Sequence, residues 1–370
     1  VAESDSLFLD AAVELARGGL YSTTPNPRVG CLLVRDGNVI GRGWHHRTGE
    51  LHAEAVALAD ARARGFDRLL EGATCFVSLE PCSHHGRTPP CADALVTARI
   101  GRVVIAADDP NPQVAGRGIE RLRAAGIRVE VHPRAGAIEL NRGFFKRFSD
   151  GRPWIRVKVA ASLDGRTAMA SGESRWITSE AARADVQAWR AQSCAIVTGI
   201  GTVLADDPLL TVRGAEFAVD GLVRQPLRVV VDGSLRTPCT AQLLRANGET
   251  LIATTASAAS DDGRSLIAAG AEIFERTAPS DDLDDVFAEL ARRGINEALV
   301  EAGPRVTGAV LRSDGWDEAI VYLAPKLLGR DARPFAELSV ERLADAIRGS
   351  IADVARLGDD VRVRILRIRR

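Results

Sequence analysis

The segment Thr74–Cys91, TCFVSLEPCSHHGRTPPC, is the part of the chain whose reading decides the fold. It opens with TCFVSL at 74–79, a short apolar run of the buried-strand type, and breaks at Pro81 into a loop of Cys, His, Gly and Pro. Residues 89–98 predict a helix, so Cys91 falls near a helix start and Cys82 just past a strand end. Upstream, His52-Ala53-Glu54 opens a second predicted helix over 52–64. One imidazole and two thiolates are a donor set for zinc. Three protein ligands leave the fourth tetrahedral position open, as catalytic sites do and structural ones do not. Alone, His52 would read as a helix cap and Cys82 as a small core residue. Together, behind a strand and Pro81, they read as a metal centre. Cys31 and Cys75 sit inside apolar runs and read as core, while His84 and His85 are placed to line the pocket mouth.

Outward from this segment, apolar strands alternate with amphipathic helices. A helix at 5–17, a hairpin of VGCLLV and VIGRGW joined at Asp36-Gly37, a strand at 102–107, a helix at 114–125 and a strand at 127–131 predict a layered α/β fold. FSDGRPW at 148–154 reads as a seam, after which the pattern restarts. WIRVKVAA, CAIVTG, PLRVVVDG, ETLIATT, AEIFE and AIVYLAPKLL read as strands. EAARADVQAWRAQ and residues 283–293 and 304–312 read as helices. The final DVRVRILRIRR reads as an antiparallel strand with its arginines on one solvated face. The chain thus divides into residues 1–149 and 150–370, in line with about 150 residues per domain.

Composition narrows the function classes. The chain has 370 residues, 46% hydrophobic and 26% charged, which excludes a disordered or fibrous protein. The net charge is -1 and neither part is a polycation, so a broad nucleic-acid surface has no support. Six cysteines are too few for a disulfide scaffold, and all six histidines lie before residue 133, which enriches the first third in soft-metal ligands. The first residues read as a helix rather than a targeting signal, and no window is apolar enough to span a membrane. A cytoplasmic protein is expected.

Glu54 lies two residues past His52 and need not bind metal. It can take a proton from water and deliver protons to a ring nitrogen and a departing amine. The pattern H-x-E…P-C-x-x-C marks zinc deaminases of amino-heterocycles, but here an eight-residue loop separates the two cysteines in CSHHGRTPPC. With this expanded loop, the sequence resembles the bifunctional riboflavin-biosynthesis deaminase–reductase family over essentially the whole chain. The resemblance implies an α/β fold with an N-terminal cytidine-deaminase-like three-layer domain and a C-terminal dihydrofolate-reductase-like domain with a mixed sheet. It implies that residues 1–149, with one zinc per chain, deaminate 2,5-diamino-6-ribosylamino-4(3H)-pyrimidinone 5′-phosphate. Residues 150–370 would then reduce the ribosyl side chain to ribityl with NADPH. By motif, His52, Cys82 and Cys91 match the zinc ligands and Glu54 the catalytic proton shuttle. TPNPRVG at 24–30 resembles the substrate loop, in which Asn26 can offer its amide to the pyrimidine edge. Asp108–Pro112 resembles a further pocket loop.

In the second half, TGIGTVL at 198–204 follows a predicted strand and carries a G-x-G. Leu204 stands where a dinucleotide fingerprint needs Gly or Ala, and Pro208 interrupts the helix, so a conventional Rossmann domain is not expected. The family resemblance instead matches AASLDGRTA at 160–168, SRWI at 174–177, residues 201–213 and EAGP at 301–304. It implies cofactor contacts at Ala160, Ser162, Trp176, Thr202, Asp206, Ser234 and Gly303, and substrate contacts at Ser174, Arg190, Leu210, Arg213 and Glu301. Gly303 before a helix can offer free N–H groups to a pyrophosphate. The guanidinium forks of Arg190 and Arg213 suit a sugar phosphate. An Arg or Ser of DGSLR, 232–236, is a candidate for the cofactor's 2′-phosphate. Arg190 also reads as a solvated helix residue and Trp176 as a packed core aromatic. The family further implies a homodimer, with no nucleic-acid or membrane partner. Two other readings compete: another zinc nucleoside or base deaminase with an unrelated C-terminal domain, and a non-enzymatic zinc module for nucleic acid. The CSHHGRTPPC loop and the near-neutral first 150 residues disfavour them.

Overall fold

In the structure, a computed structural model, residues 3–83, 89–277 and 282–368 are described. The chain forms two compact units, residues 1–150 with 219–222, and residues 151–218 with 223–370.

The first unit contains α1 (Glu3–Ala16), β1 (Gly30–Arg35), β2 (Asn38–Trp44), α2 (Ala53–Ala63), β3 (Thr74–Val77), α3 (Cys91–Thr97), β4 (Arg102–Ile105), α4 (Arg117–Ala124), β5 (Arg128–Val131), α5 (Ala135–Leu140) and α6 (Arg142–Asp150). Its sheet has the order β2-β1-β3-β4-β5, antiparallel across β1 and parallel from β3 to β5. The predicted hairpin turns at Asp36 and Gly37, whose φ angles of 49° and 76° fit a primed turn. Strand alternation sends Cys31, Leu33, Cys75, Val77 and Val103 to one face, where they pack on α2, α3 and α4. Leu32, Val34, Phe76 and Val104 go to the other, against α1 and α6. The result is three layers. α2 lies hard against β2, because a Cβ at Gly41 would sit 2.4 Å from the Ala57 carbonyl and one at Gly43 2.5 Å from that of Ala53. These two glycines set the depth of the helix whose N-cap is His52. Neither α5 nor α6 was expected from sequence. α6 runs through Phe148–Asp150, so the seam between units narrows to the residues after it.

The second unit contains β6 (Trp154–Ser162), β7 (Arg166–Ala168), α7 (Glu180–Gln192), β8 (Ala195–Gly199), α8 (Ile200–Asp206), β9 (Leu227–Val231), α9 (Gln242–Arg245), β10 (Thr250–Thr254), α10 (Asp261–Ala268) and β11 (Ala271–Glu275). It continues with α11 (Asp284–Arg292), β12 (Glu297–Val300), α12 (Pro304–Arg312), β13 (Glu318–Ala324), β14 (Arg333–Pro334), β15 (Gly349–Leu357) and β16 (Asp360–Arg367). The main sheet is mixed, in the order β11-β10-β9-β8-β12-β6-β13-β16-β15. It is parallel as far as β13 and antiparallel at the β16–β15 hairpin. One face of β6 places Ile155, Val157, Val159 and Ala161 in the core, each large side chain contributing about 1.5–3 kcal/mol on burial.

The other face of β6 is polar and buried. Arg156 is fully buried and donates to Glu297 at 2.6 Å and to Glu318 at 2.9 Å. Here the expected solvated arginine face of the last strand is corrected. Arg364 pairs with Glu318 and Arg362 with Asp185 and Asp353, and both guanidinium groups lie over Trp189 of α7. β15, which sequence did not suggest, supplies Asp353. Arg367 falls out of phase because Leu366 breaks the alternation. It pairs with Asp314 and lies over Trp316. No helix of the described residues is long and apolar enough to cross a membrane.

Candidate active sites

In the first unit, the ends of three secondary-structure elements meet. His52 caps α2, Cys82 lies in the loop after β3, and Cys91 is the first residue of α3. His52 Nδ1 lies 3.5 Å from Cys82 Sγ and 3.4 Å from Cys91 Sγ. Tetrahedral zinc, with bonds of about 2.0–2.3 Å, holds neighbouring N and S ligands about 3.5 Å apart, so these donors fit the ion in number, chemistry and spacing. Cys82 is brought down to about 4 by its hydrogen bond with Cys91, against the effect of burial and with help from His52. The same bond, together with burial, drives Cys91 well up. The Cys91 N–H also points at Cys82 Sγ at 3.4 Å, so the start of α3 favours a thiolate there. Glu54, in the first turn of α2, is buried, and burial raises its pKa above the usual carboxylate range.

The surrounding loops are held by buried hydrogen bonds. The Glu80 carboxylate accepts from the N–H groups of Gly116 at 3.0 Å, Gly118 at 3.0 Å and Ile119 at 3.2 Å. It thereby locks the start of α4 beneath Pro81. A Cβ at Gly118 would meet the Pro81 carbonyl at 1.9 Å, so that approach needs glycine. Asp109, in the 108–112 loop, is pushed up to about 7 by burial. On the opposite side, His45 Nδ1 donates to the Leu51 carbonyl at 3.0 Å, which leaves Nε2 to accept from Asn26 Nδ2 at 3.1 Å. The Asn26 amide oxygen is thereby turned away from His45. The His45 ring meets that of His52 edge-on at 5.0 Å, and burial lowers its pKa to about 4. Sequence reading missed His45, for which spacing gave no signal. His84 and His85 lie outside the described residues.

In the second unit, a cavity of about 1080 Å³ opens at the C-terminal ends of the parallel strands. Of the positions implied by resemblance, Ala160, Trp176, Thr202, Asp206, Ser234 and Gly303 line it, as do Ser174, Arg190, Leu210, Arg213 and Glu301. Ser162 does not. It is fully buried, donates to Asp164 at 2.5 Å and accepts from the Arg166 N–H, so it shapes the turn after β6. Trp176 is 63% exposed, so it is no core aromatic, and the Arg183 guanidinium lies 4.3 Å from its ring centre. α8 ends at Asp207, whose φ is 42°, before Pro208. α12 opens at Gly303 with Pro304 at its first position.

Arg190 lines the cavity and is also paired within the protein. Its guanidinium binds Glu301 in a fork, at 2.6 and 2.9 Å, and its third nitrogen donates to the Thr211 carbonyl at 3.2 Å. It is therefore occupied within the protein, whereas Arg213 is exposed on the cavity wall. Lys158, also missed from sequence, lies with its ammonium 3.7 Å from Glu301. Burial lowers the Lys158 pKa, with Glu301 opposing. Burial likewise pushes Glu301 up, but the charges of Arg190 and Lys158 prevail and hold it at about 2. A cation alternating with apolar residues in IRVKV was the available signal: it faces opposite to the core-packed Val157 and Val159.

Residues 2–107 match the profile of the cytidine and deoxycytidylate deaminase zinc-binding region, and residues 153–361 that of the RibD C-terminal domain. Fold and sites together define an enzyme that joins a zinc-dependent deaminase to an NADPH-dependent reductase. The chain is 47% identical to riboflavin biosynthesis protein RibD of Escherichia coli (strain K12), over 96% of this chain and 98% of that one. It superposes on the Acinetobacter baumannii RibD structure, form 1, with TM-score 0.91 and 44% identity over 99% of both chains. A Thermotoga maritima structure, described as a diaminohydroxyphosphoribosylaminopyrimidine deaminase/5-amino-6-(5-phosphoribosylamino)uracil reductase, matches with TM-score 0.86 and 31% identity over 99% of both. The chain belongs to the RibD family, the bifunctional deaminase–reductases of riboflavin biosynthesis.

Proposed function

We propose that residues 1–149 deaminate 2,5-diamino-6-ribosylamino-4(3H)-pyrimidinone 5′-phosphate and that residues 150–370 reduce the ribosyl group of the product to ribityl. The observation that carries this is the pairing, in one chain, of a His-Cys-Cys donor set beside a buried carboxylate with a large cavity containing the Lys158–Glu301–Arg190 cluster. His52, Cys82 and Cys91 would hold the zinc, which when bound supplies a Lewis acid that acidifies water. Glu54 moves the protons: its buried carboxylate accepts one, then returns protons to the ring nitrogen and the leaving amine, so that the amine departs as ammonia. Asn26, turned by His45, presents its carbonyl oxygen to an N–H on the pyrimidine edge.

In the cavity, Thr202, Asp206, Trp176, Ala160, Ser234 and the Gly303 helix start would hold NADPH, which when bound supplies the hydride. Arg213 grips the substrate phosphate, while Ser174 and Leu210 bound the sugar. Glu301 orients the ribosyl group from its fixed position against Arg190. Lys158 delivers the proton that the reduced sugar oxygen needs. The residue roles, the domain limits and the two substrates all belong to this reading.

We place the enzyme in the cytoplasm, where a reducing environment keeps Cys82 and Cys91 as thiols, and we infer a homodimer. Support for the dimer is the outer strand β15, which leaves Ile351 and Val354 68% and 57% exposed at the sheet edge. A row of this kind invites a partner.

Incubating the purified protein with the diamino-pyrimidinone phosphate tests the reading. Ammonia release should proceed without NADPH, and NADPH oxidation should follow only once deaminated product is present. NADPH oxidation with no ammonia released would reject the assigned order.

A further inference from the structure

The first unit takes four of its residues from far along the chain. Val219–Leu222 belong to it, although the residues before and after them belong to the second unit. They form a tight turn. Val219 and Leu222 each donate an N–H to the other's carbonyl, at 3.0 and 3.1 Å. Between them Asp220 and Gly221 have φ angles of 50° and 76°, the Asp-Gly pattern of a primed hairpin turn. Four residues closed by two backbone hydrogen bonds keep their shape, so the turn can act as a brace.

What it braces is the segment after β2. The Arg47 guanidinium donates to the Val219 carbonyl, and His46 Nδ1 donates to the Asp220 carboxylate at 3.1 Å. His46 also stacks on Trp44, the last residue of β2, with ring centres 3.7 Å apart. From the same segment, contacts run inward to the deaminase pocket. The buried Ser22 donates its hydroxyl to the His46 carbonyl at 2.5 Å. The Thr48 hydroxyl donates to the carbonyls of Thr23 at 2.7 Å and Thr24 at 3.1 Å. The Thr23 carbonyl in turn accepts the Asn26 N–H at 2.8 Å, while His45 holds the Asn26 side chain at 3.1 Å. Backbone and amide of Asn26 thus both hang on residues 45–48, and residues 46 and 47 hang on the turn. Asp220 is more than half exposed, so its pair with His46 is weak alone. The better shielded Arg47 and the shape of the turn carry the brace.

We propose that residues 219–222 are a positioning element of the deaminase, which fixes residues 45–48 and through them aims Asn26 at the pyrimidine. This rests on the reading of Asn26 as a substrate contact. The turn acts through the 45–48 segment and not on the substrate, and Arg47 is a positioning residue rather than a phosphate ligand. Deamination therefore depends on four residues that lie within the second half of the sequence.

Steady-state ammonia release by the full-length protein tests this, with the diamino-pyrimidinone phosphate and with its dephosphorylated analogue. Zinc content and NADPH oxidation with the deaminated product are followed alongside. Arg47→Ala removes the hold on the Val219 carbonyl. Gly221→Val puts a β-branched residue where φ is 76° and breaks the turn. Each should raise KM for both substrates by about three- to tenfold, the worth of one or two hydrogen bonds, with kcat, zinc content and NADPH oxidation kept. Together they should do little more than either alone, because both break the same contact. Gly221→Asn should recover most of the Gly221→Val loss, since Asn tolerates a positive φ. An unchanged KM in both Arg47→Ala and Gly221→Val would overturn the proposal. So would a loss in Arg47→Ala confined to the phosphorylated substrate, which would make Arg47 a phosphate ligand. Asn26→Ala separates the two levels: if it leaves KM unchanged, the reading of Asn26 fails and the proposal with it. If it raises KM while the turn variants do not, the brace alone is overturned.

Discussion

The two sites are assembled in opposite ways. The metal centre is made from element ends: a helix cap, a loop and a helix start bring His52, Cys82 and Cys91 together. The reductase site is made from a sheet face. The β12–β6 register sets Val300 beside Val157, which carries Glu301 up to Lys158, and α7 lays Arg190 across them. Helix starts carry free N–H groups, so polar ligands cost little there. A sheet interior offers none, and every charge placed in it must be met by another. The Arg156–Glu297–Glu318–Arg364 network next to Lys158 meets that requirement along the same strands.

This difference predicts how each site fails. The largest effect is expected in the sheet. Arg156→Ala removes the guanidinium that buried Glu297 and Glu318 share, leaving Arg364 to pair Glu318 alone, and should cost about 3–5 kcal/mol, read as a lower denaturant midpoint for the second unit with zinc content unchanged. A midpoint unaltered by the substitution would mean that the network is not needed. At the metal centre a loss should stay local. Glu54→Gln keeps shape and should retain zinc and substrate binding while deamination falls about 10²-fold or more. Near-normal ammonia release from the zinc-replete variant would reject the shuttle.

A smaller effect should follow at the rim of the cavity. Arg213→Ala should raise KM for the phosphorylated substrate by about ten- to a hundredfold and spare a dephosphorylated analogue. Equal loss on both would show that Arg213 does not read phosphate. The smallest effect is in acid. Glu301 is held at about 2, below its ordinary 4.5. The unfolded chain therefore takes up the proton first as pH falls, and the stability this carboxylate adds is complete above about 4.5 and lost on the way down to about 2. Unfolding of Glu301→Gln should show less acid dependence in that window than wild type.

The same contrast explains what was legible in the sequence. His52, Glu54, Cys82 and Cys91 were readable because each sits beside a Pro, a strand end or a helix start in short local patterns. α7 was equally plain, since its helical periodicity is intact from Glu180 to Gln192. Lys158, by contrast, is an unremarked cation in an apolar strand until β12 and α7, more than a hundred residues of chain in one case, fold onto it. Arg190 looked free because its carboxylate, Glu301, lies far along the chain. The last strand's arginines looked solvated because β15 was not seen. Its side chains are mostly exposed, so it lacks the alternation that marks a half-buried strand. His45 acts through its two ring nitrogens on Leu51 and Asn26, a geometry that no spacing rule encodes.

The central claim is that one chain holds two separable catalytic centres, the first dependent on zinc. Full-length Cys82→Ser tests it most directly, assayed for bound zinc, for ammonia release from the diamino-pyrimidinone phosphate and for NADPH oxidation with the deaminated product supplied. Zinc and ammonia release should both be lost, and NADPH oxidation should continue at the wild-type rate, because separate cores confine the damage. Retention of ammonia release without zinc, or loss of NADPH oxidation in a folded variant, would contradict the account.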